Sequence, residues 1–306
     1  MVSPYFLHEL DRCRTDVSMM RQALASLLFV AFCVATPGPA WARVIYVDNR
    51  VGNDINDGLS ATNQGLRVGP VKTFSRAAHL LGKSDTLEIA NNGEDFPYRD
   101  SLRLVGGGAS GIETLPLIVN GNGAMIDGAD PLQPDDWEHV EGSLWRVMPW
   151  RKGWVRLFRD GDELTEIQTE RDAGLNLEPG QWTFWQGAIY YLARPDEIPA
   201  NEPYSIAQRE AGVFLYGVRY VVVRDLVVKR HRLDGVNAHD QARPVILENV
   251  RSSRNARAGI FAGGSSQLII RGAEVQGNRE ASIIATEQAR IDITDSRLDT
   301  EPRTID

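Results

Sequence analysis

A repeat of 23 or 24 residues constrains the fold of this chain more than any other sequence feature. In one series a β-branched residue follows a small residue at steps of 23, 24 and 23, in Ala211-Gly212-Val213, Asp234-Gly235-Val236, Ala258-Gly259-Ile260 and Ala281-Ser282-Ile283. In a second series an apolar residue precedes a polar one at steps of 24, 23 and 23, at Val223, Leu247, Ile270 and Ile293. Because two independent series share one period, we expect equal units that stack on one another.

Apolar residues alternate with polar ones inside each unit, as at Val221 and Val223 or at Ile291 and Ile293. A period of two is typical of β-strands that have one buried face. Leucine-rich repeats have similar lengths, but their Leu-x-x-Leu-x-Leu frame is missing and no helical stretch fits between the strands. The sequence therefore predicts an all-β fold, a parallel β-helix solenoid of about 23 residues per coil with coils about 4.8 Å apart.

The N-terminal end of the solenoid carries its own signals. Residues 72–82 have a Thr start, apolar positions on one helical face and a Gly stop, which predicts a short helix that caps the first coil. We expect strands to follow at Thr86 to Ile89, Leu102 to Val105, Leu117 to Val119 and Ala124 to Ile126. Asp54, Asn56 and Asp57 lie in a loop before the helix, but their spacing does not fit a calcium loop, so a structural turn is favoured and no metal is expected.

Residues 131–205 interrupt the repeat and contain six of the seven tryptophans. We interpret them as a Trp-rich β insertion with its own small core, which leans on the side of the solenoid. The tryptophans either stack on sugar rings or pack in that core. At the other end the last strand unit ends at Leu298, and residues 299–306 are too short to cover an open coil. Either the chain is a truncated relative of longer proteins, or a second copy covers this end.

The N-terminus resembles an export leader. Met20-Arg21-Gln22 precedes an apolar run from Ala23 to Ala35 and a small-x-small site at Ala40-Trp41-Ala42. The run has 13 residues and a membrane span needs about 20, so cleavage near Arg43 is expected rather than a stable membrane span. The predicted organisation is an upstream extension and signal peptide over 1–42, a cap and first coils over 43–130, the insertion over 131–205 and further coils over 206–306.

Three further stretches resemble the pectate-lyase-like superfamily of right-handed parallel β-helix proteins. These stretches are Tyr46-Val47-Asp48 with Gly52 to Ser60, Gly69-Pro70-Val71-Lys72-Thr73-Phe74, and Leu115 to Val119 leading to Ile126-Asp127-Gly128. They are similar to the superfamily's N-terminal loop, capping helix and first coil. The resemblance implies a right-handed solenoid. It implies little about activity, because the superfamily includes lyases, glycoside hydrolases, epimerases and surface proteins without activity.

Stacking places residues one repeat apart on neighbouring coils, which suggests a catalytic site. His239, Gly263 and Thr286 form one column, and Asp240, Gly264 and Glu287 form the next. Carboxylates two coils apart lie about 9 to 10 Å from each other, near the upper limit for an acid and a base that flank a glycosidic bond. Asp240 and Glu287 are therefore candidate catalytic residues, with His239 as a sugar ligand or a group that tunes a carboxylate. The alternative is that they are solvated turn residues.

Lys229, Arg230, His231 and Arg232 form the strongest basic run and are candidate substrate-binding residues. A lyase needs a base to remove a proton and a cation to neutralise the uronate carboxylate. However, Asn255 and Asn278 follow His231 at one-repeat steps, so a structural ladder of turn side chains is the alternative. The column of Asp225, Asn249, Gly272 and Asp295 at another turn is interpreted as structural.

The net charge of −8 argues against nucleic acid as a partner, because phosphate binding needs concentrated positive charge. Both cysteines, Cys13 and Cys33, precede the expected cleavage site, which excludes thiol chemistry from the mature chain. We expect no cofactor. Two functions remain open for a secreted, periplasmic or cell-surface protein whose partner is polysaccharide. One is a polysaccharide lyase or glycosidase, and the other is a glycan-binding or structural protein without activity.

Overall fold

The computed structural model describes residues 42–169 and 174–305. The predicted leader therefore lies outside the described residues, apart from Ala42. Within the described ranges, no helix has both the length and the apolar character needed to cross a membrane.

The described chain is almost entirely β-structure, with one α-helix, α1, at Phe74–Leu80. The strands are numbered in chain order as β1 (Val44–Val47), β2 (Thr86–Ile89), β3 (Leu102–Val105), β4 (Leu117–Asn120), β5 (Met125–Asp127), β6 (Ala129–Pro131), β7 (Trp137–Glu141), β8 (Leu144–Val147), β9 (Leu157–Arg159), β10 (Asp162–Glu163), β11 (Trp182–Trp185), β12 (Ala188–Leu192), β13 (Tyr204–Ala207), β14 (Ala211–Tyr216), β15 (Val221–Arg224), β16 (Val227–Lys229), β17 (Asp234–His239), β18 (Val245–Glu248), β19 (Arg251–Ser253), β20 (Ala258–Ala262), β21 (Gln267–Arg271), β22 (Glu274–Gln276), β23 (Ala281–Thr286), β24 (Arg290–Thr294), β25 (Arg297–Leu298) and β26 (Arg303–Ile305).

Three parallel sheets form the walls of the solenoid. Sheet A has the order β1-β2-β4-β15-β18-β21-β24, sheet B the order β5-β16-β19-β22-β25, and sheet C the order β3-β14-β17-β20-β23-β26. Each full coil passes through A, B and C in turn. The register confirms both repeat series, because Val213 pairs with Val236 in the first series and Val223 pairs with Leu247 in the second. The fold is therefore the predicted parallel β-helix.

The interior is a continuous column of aliphatic side chains. Inward positions of the three sheets are buried, as at Val223 on sheet A, Val228 on sheet B and Val236 on sheet C, whereas Ile291 and Ile293 of the last coil are partly buried. Each coil covers the apolar edge of the one before it, which explains why single units would not be stable alone.

Helix α1 caps the first coil as predicted. Thr73 is the N-cap and its Oγ1 accepts a hydrogen bond from Arg76 N, while Phe74 and Ala77 are buried against the first coil. The helix ends differently from the prediction, because Leu81 is already extended and terminates it before Gly82. In the preceding loop, Asp54 accepts hydrogen bonds from the backbone at Lys72 and Thr73, so this loop is a structural turn.

The insertion leaves the solenoid after β5 and returns at β14. It contains two antiparallel sheets, one with the order β10-β9-β13-β6 and one with the order β11-β12-β8-β7. Its core includes Trp137, Trp182 and Tyr191. Arg156 Nη1 donates to the carbonyls of Asn255 at 2.8 Å and Gly277 at 3.0 Å, so the insertion packs on the corner where sheet B turns into sheet C.

The C-terminal end extends further than the sequence indicated. Residues 303–305 form β26, which pairs with β23 and begins a further strand of sheet C. Arg303-Thr304-Ile305 lacks apolar alternation because all three residues are exposed, and this is why the pattern missed the strand.

Candidate functional site

The outer face of sheet B carries a broad depression. One cavity of about 680 Å³ follows the corner between sheets A and B, and a second of about 470 Å³ lies over the strands of sheet B. Val227 lines both cavities, so they form one surface, which we call the sheet B trough. The trough crosses successive coils along the axis of the solenoid.

A column of residues with left-handed backbone forms one side of the trough. Asn122, Asp225, Asn249 and Asp295 have φ between 50° and 54°, and Gly272, in the same column, has φ of 63°. Asn, Asp and Gly tolerate this conformation best, which explains their choice at a sharp corner. Asn249 Nδ2 donates to Asp225 Oδ1 at 3.1 Å. The same side chains that make the turn therefore present amides and carboxylates to the trough.

The floor of the trough carries alternating charges. Arg251, Glu274 and Arg297 occupy the same position on consecutive coils, and Arg251 Nε lies 3.6 Å from Glu274 Oε2. The side chain of Arg251 is 69% exposed, so this pair is open to solvent. Exposed pairs of this kind contribute little to stability, which leaves these groups available to a ligand.

Lys229 is the one member of the basic run that lines the trough. It is half-buried, and this burial together with the charge of Arg230 lowers the pKa of its ammonium group, against the opposing effect of Asp127 and Glu94. A lysine with a lowered pKa is more often in the neutral form that can accept a proton.

Arg230 points instead into a buried ion pair. Its guanidinium contacts both oxygens of Asp127, with Nε 3.0 Å from Oδ1, and Asp127 is 1% exposed. Asp127 Oδ1 also accepts from Ala129 N at 3.1 Å, where the insertion begins. Arg230 thus holds the insertion to the solenoid and has little surface to offer a substrate.

His231 forms a rung of a buried ladder, the alternative that the sequence left open. Its backbone N donates to Asn255 Oδ1 at 2.9 Å, and Asn255 N and Nδ2 donate to Asn278 Oδ1 at 3.0 and 2.9 Å. His231 is completely buried, and this burial lowers its pKa to about 4. Its imidazole is therefore neutral at ordinary pH and out of reach of a polymer at the surface.

Arg232 lies on the sheet C side of the same corner. Its Nη2 is 3.9 Å from Glu210 Oε1, and its side chain is 13% exposed. The basic run is therefore divided, with one residue in the trough, two in the interior and one on a different face.

His239, Asp240 and Glu287 lie at the corner between sheets C and A. The predicted columns are present, since β17 and β20 pair in the expected register, as do β20 and β23. His239 Nδ1 lies 2.9 Å from Asp240 Oδ1. Asp240 and Glu287 are exposed and both have left-handed backbone, with φ of 63° and 59°. They stay a predicted catalytic pair, on a different face from the trough.

The sequence did not assign function to the corner column of the trough. The signal that could have found it was the spacing of Asp225, Asn249, Gly272 and Asp295 at one-repeat steps, which places polar groups along one corner. What the spacing alone cannot show is that this corner borders a depression. In the described ranges, no group of three or more His, Cys, Asp or Glu side chains is arranged to hold a metal ion.

Comparisons with known proteins bear on the fold of the chain. Residues 201–298 match the family described as right handed beta helix region. The fold resembles two solved structures, a complex of XylC with xylose (TM-score 0.56, 13% identity) and a structure named glycoside hydrolase (TM-score 0.57, 11% identity). The two likenesses cover 83% and 80% of this chain. A weaker likeness, with a TM-score of 0.46 and 13% identity, joins 83% of this chain to 41% of a GH136 lacto-N-biosidase from Eubacterium ramulus. No curated protein matches the sequence.

The fold of the described chain is a right-handed parallel β-helix. The chain spans 58% of the XylC structure and 68% of the glycoside hydrolase structure.

Proposed function

We propose that this protein binds polysaccharide along the sheet B trough. The observation that carries the proposal is the shape and lining of the trough, an open depression along the solenoid axis with amides, carboxylates and guanidinium groups on consecutive coils. Residues at one position recur about every 4.8 Å along the axis. A linear polymer of sugars presents hydroxyl groups at a similar regular spacing, so such a surface can contact several consecutive units.

The charges of the trough suit hydroxyl-rich ligands. Arginine and carboxylate side chains are strong donors and acceptors for hydroxyl groups, and they stay hydrated and available because their mutual pairing is exposed. XylC with xylose and the glycoside hydrolase share the fold, which supports carbohydrate as the ligand class.

A second candidate function is β-elimination on a uronate polymer, favoured by the lowered pKa of Lys229 beside the trough. Lys229 would take the C5 proton of the uronate, and Arg254, which lines the same cavity, would neutralise its carboxylate. The C4–O bond would break as the C4=C5 double bond forms, and water would protonate the leaving oxygen. Hydrolysis through Asp240 and Glu287, with His239 as a supporting group, is the competing reaction and uses a different corner.

Binding is tested with polygalacturonate, alginate, xylan and a soluble cellulose derivative by affinity electrophoresis and titration calorimetry. The variant R251A/R297A removes two cations from the trough and should lower the affinity for the bound polymer by at least tenfold. Arg271→Ala is the matched control, because Arg271 forms an equivalent exposed pair with Glu248, at 3.4 Å, on sheet A. The proposal would be refuted if R251A/R297A and Arg271→Ala lost affinity equally, or if the wild type bound none of the polymers.

Catalysis is tested on the same polymers by following unsaturated uronate and reducing ends separately. Unsaturated product that disappears in Lys229→Ala supports elimination. Reducing ends without unsaturation, lost in Asp240→Asn or Glu287→Gln, support hydrolysis. Binding with neither product leaves the role of a glycan-binding protein without activity.

We further propose that the protein is exported to the periplasm, cell surface or medium, as its leader-like N-terminus suggests. N-terminal sequencing of the secreted protein should find a start near Arg43. The strand edge of β26 and the partly buried Ile291 and Ile293 of the last sheet A strand also favour self-association at the C-terminal coil. Light scattering should then detect a dimer, and Thr304→Pro should make it monomeric.

A further inference from the structure

A separate pocket lies where the insertion joins the solenoid. It has a volume of about 400 Å³, and its lining includes two apolar side chains, Met148 and Trp150, which we call the apolar wall, and four polar ones, Asp130, Asp136, Arg151 and Arg209, which we call the polar wall. Asp130 lies on β6, the strand by which the insertion leaves the solenoid, and pairs with Ile206 on the returning strand β13. Two antiparallel strands therefore fix Asp130 at the root of the insertion.

Trp150 differs from the core tryptophans of the insertion. It is 85% exposed, whereas Trp182 and Trp137 are 0% and 7% exposed and form the core. An indole that contributes so little to packing has an open face, and such a face can stack on the apolar side of a pyranose ring. Met148, 58% exposed, extends the same wall.

The polar wall offers acceptors and donors in fixed positions. Arg209 Nη1 donates to Asp130 Oδ2 at 2.9 Å, and Asp136 Oδ2 accepts from Gln133 N at 2.7 Å. A carboxylate accepts several hydrogen bonds, so each can also accept from a sugar hydroxyl while it keeps its protein partner. Burial raises the pKa of Asp130, and the guanidinium groups of Arg209 and Arg99 oppose this rise.

We propose that this pocket binds one pyranose unit of an oligosaccharide, stacked on Trp150 and hydrogen-bonded through Asp130 and Arg209. The ligand class rests on the proposed function, but the site is independent of the trough. Trp150 belongs to the pocket lining and to neither trough cavity. A short oligosaccharide is therefore sufficient to occupy it.

The test uses xylotriose and trigalacturonate with the full-length protein, measured by titration calorimetry and by saturation-transfer NMR. We expect one of them to bind the wild type and to bind Trp150→Ala at least tenfold more weakly. Asp130→Asn should also weaken it. Trp154→Ala is the matched control, because Trp154 is 39% exposed in the same segment but does not line the pocket, and it should bind as the wild type does.

The trough variant R251A/R297A separates this inference from the proposed function. It should lose the long polymer but keep the trisaccharide, whereas Trp150→Ala should keep most of its affinity for the polymer. The inference is overturned if the wild type binds neither trisaccharide, if Trp150→Ala binds as tightly as Trp154→Ala, or if R251A/R297A loses the trisaccharide as well.

Discussion

The two corners that flank sheet B use the same sequence device with opposite results. At the corner between sheets A and B, the column of Asp225, Asn249, Gly272 and Asp295 is exposed and borders the trough. At the corner between sheets B and C, the column of His231, Asn255 and Asn278 is buried and bonded into a ladder. The insertion makes the difference, because it packs on the second corner through Arg156.

This comparison shows that the sequence of a polar column in a solenoid does not reveal whether the column is structural or binds a ligand. Where protein covers the column, its side chains must hydrogen-bond to one another, and removal of one side chain leaves a buried polar group without a partner. Where the column is open to solvent, substitution of its side chains costs little stability, and those side chains can bind a ligand. The predictions that follow compare substitutions of covered residues with substitutions of residues that are open to solvent.

The largest effect is expected for Arg230→Ala. This variant removes the closer of the two cations beside the buried Asp127 and leaves only Arg99, whose Nη1 lies 3.8 Å from Asp127 Oδ2, which should lower the free energy of unfolding by about 3 to 4 kcal/mol. Arg251→Ala removes a cation of equal charge from the exposed pair with Glu274 and should cost about 1 kcal/mol or less. Urea unfolding measures both. Similar losses in the two variants would contradict the distinction between a covered and an open corner.

Acid should weaken the covered corner through His231. Its pKa is about 4 in the folded protein and 6.5 in an unfolded chain. As the pH falls below 6.5 the unfolded chain binds a proton that the folded chain rejects, so stability is lost towards pH 4. The loss should reach about 3 kcal/mol, because one pKa unit corresponds to about 1.4 kcal/mol.

The variant His231→Asn isolates this contribution. It continues the ladder with the residue found at positions 255 and 278 and removes the titrating group. Urea unfolding at neutral and mildly acidic pH should show a smaller loss in the variant than in the wild type, since other groups titrate equally in both. Identical pH dependence in the two proteins would show that His231 does not limit acid stability.

Asn255→Ala should have the next largest effect. Asn255 is completely buried, its Oδ1 accepts from His231 N, and its Nδ2 donates to Ser252 Oγ at 3.1 Å as well as to Asn278. Removing the amide leaves these partners buried without a hydrogen bond, which should lower the free energy of unfolding by about 2 to 3 kcal/mol. Chemical denaturation checks the value, and an unchanged midpoint would mean that water or a shifted neighbour replaces the amide.

The repeat predicted the parallel β-helix, its register and most strand limits. Stacked coils translate a sequence period directly into strand pairing, so Ala211 pairs with Asp234 and Ala258 with Ala281 as the spacing implied. The capping helix was equally predictable, because its N-cap Thr73 and its apolar face are local sequence signals.

The site was less predictable because it depends on contacts between distant segments. Arg230 forms a buried ion pair with Asp127, which precedes it by 103 residues, and no local sequence pattern indicates such a pairing. The insertion likewise decides which corner is covered. Sequence spacing therefore found the polar columns but could not rank them, and it could not separate Trp150 from the core tryptophans.

The smallest change in stability and the most informative one is expected for Asn249→Gly. Asn249 is exposed and has φ of 51°, which glycine adopts without strain, as Gly272 does on the next coil. We expect the free energy of unfolding to change by about 0.5 kcal/mol or less. Loss of the amide should weaken polysaccharide binding by about three- to tenfold, the worth of a single hydrogen bond.

Titration calorimetry and urea unfolding on the same preparations separate the two effects of Asn249→Gly. A loss of stability comparable to that of Asn255→Ala would mean that both columns are structural and that the trough is only the space between them. Unchanged stability with weakened binding would mean that one repeated turn residue has two uses in this solenoid. Both corners contain a residue with left-handed backbone, Asn249 with φ of 51° and Arg254 with φ of 55°. The backbone of the turn would therefore not decide whether a corner binds a ligand, and the protein that packs on the corner would decide it.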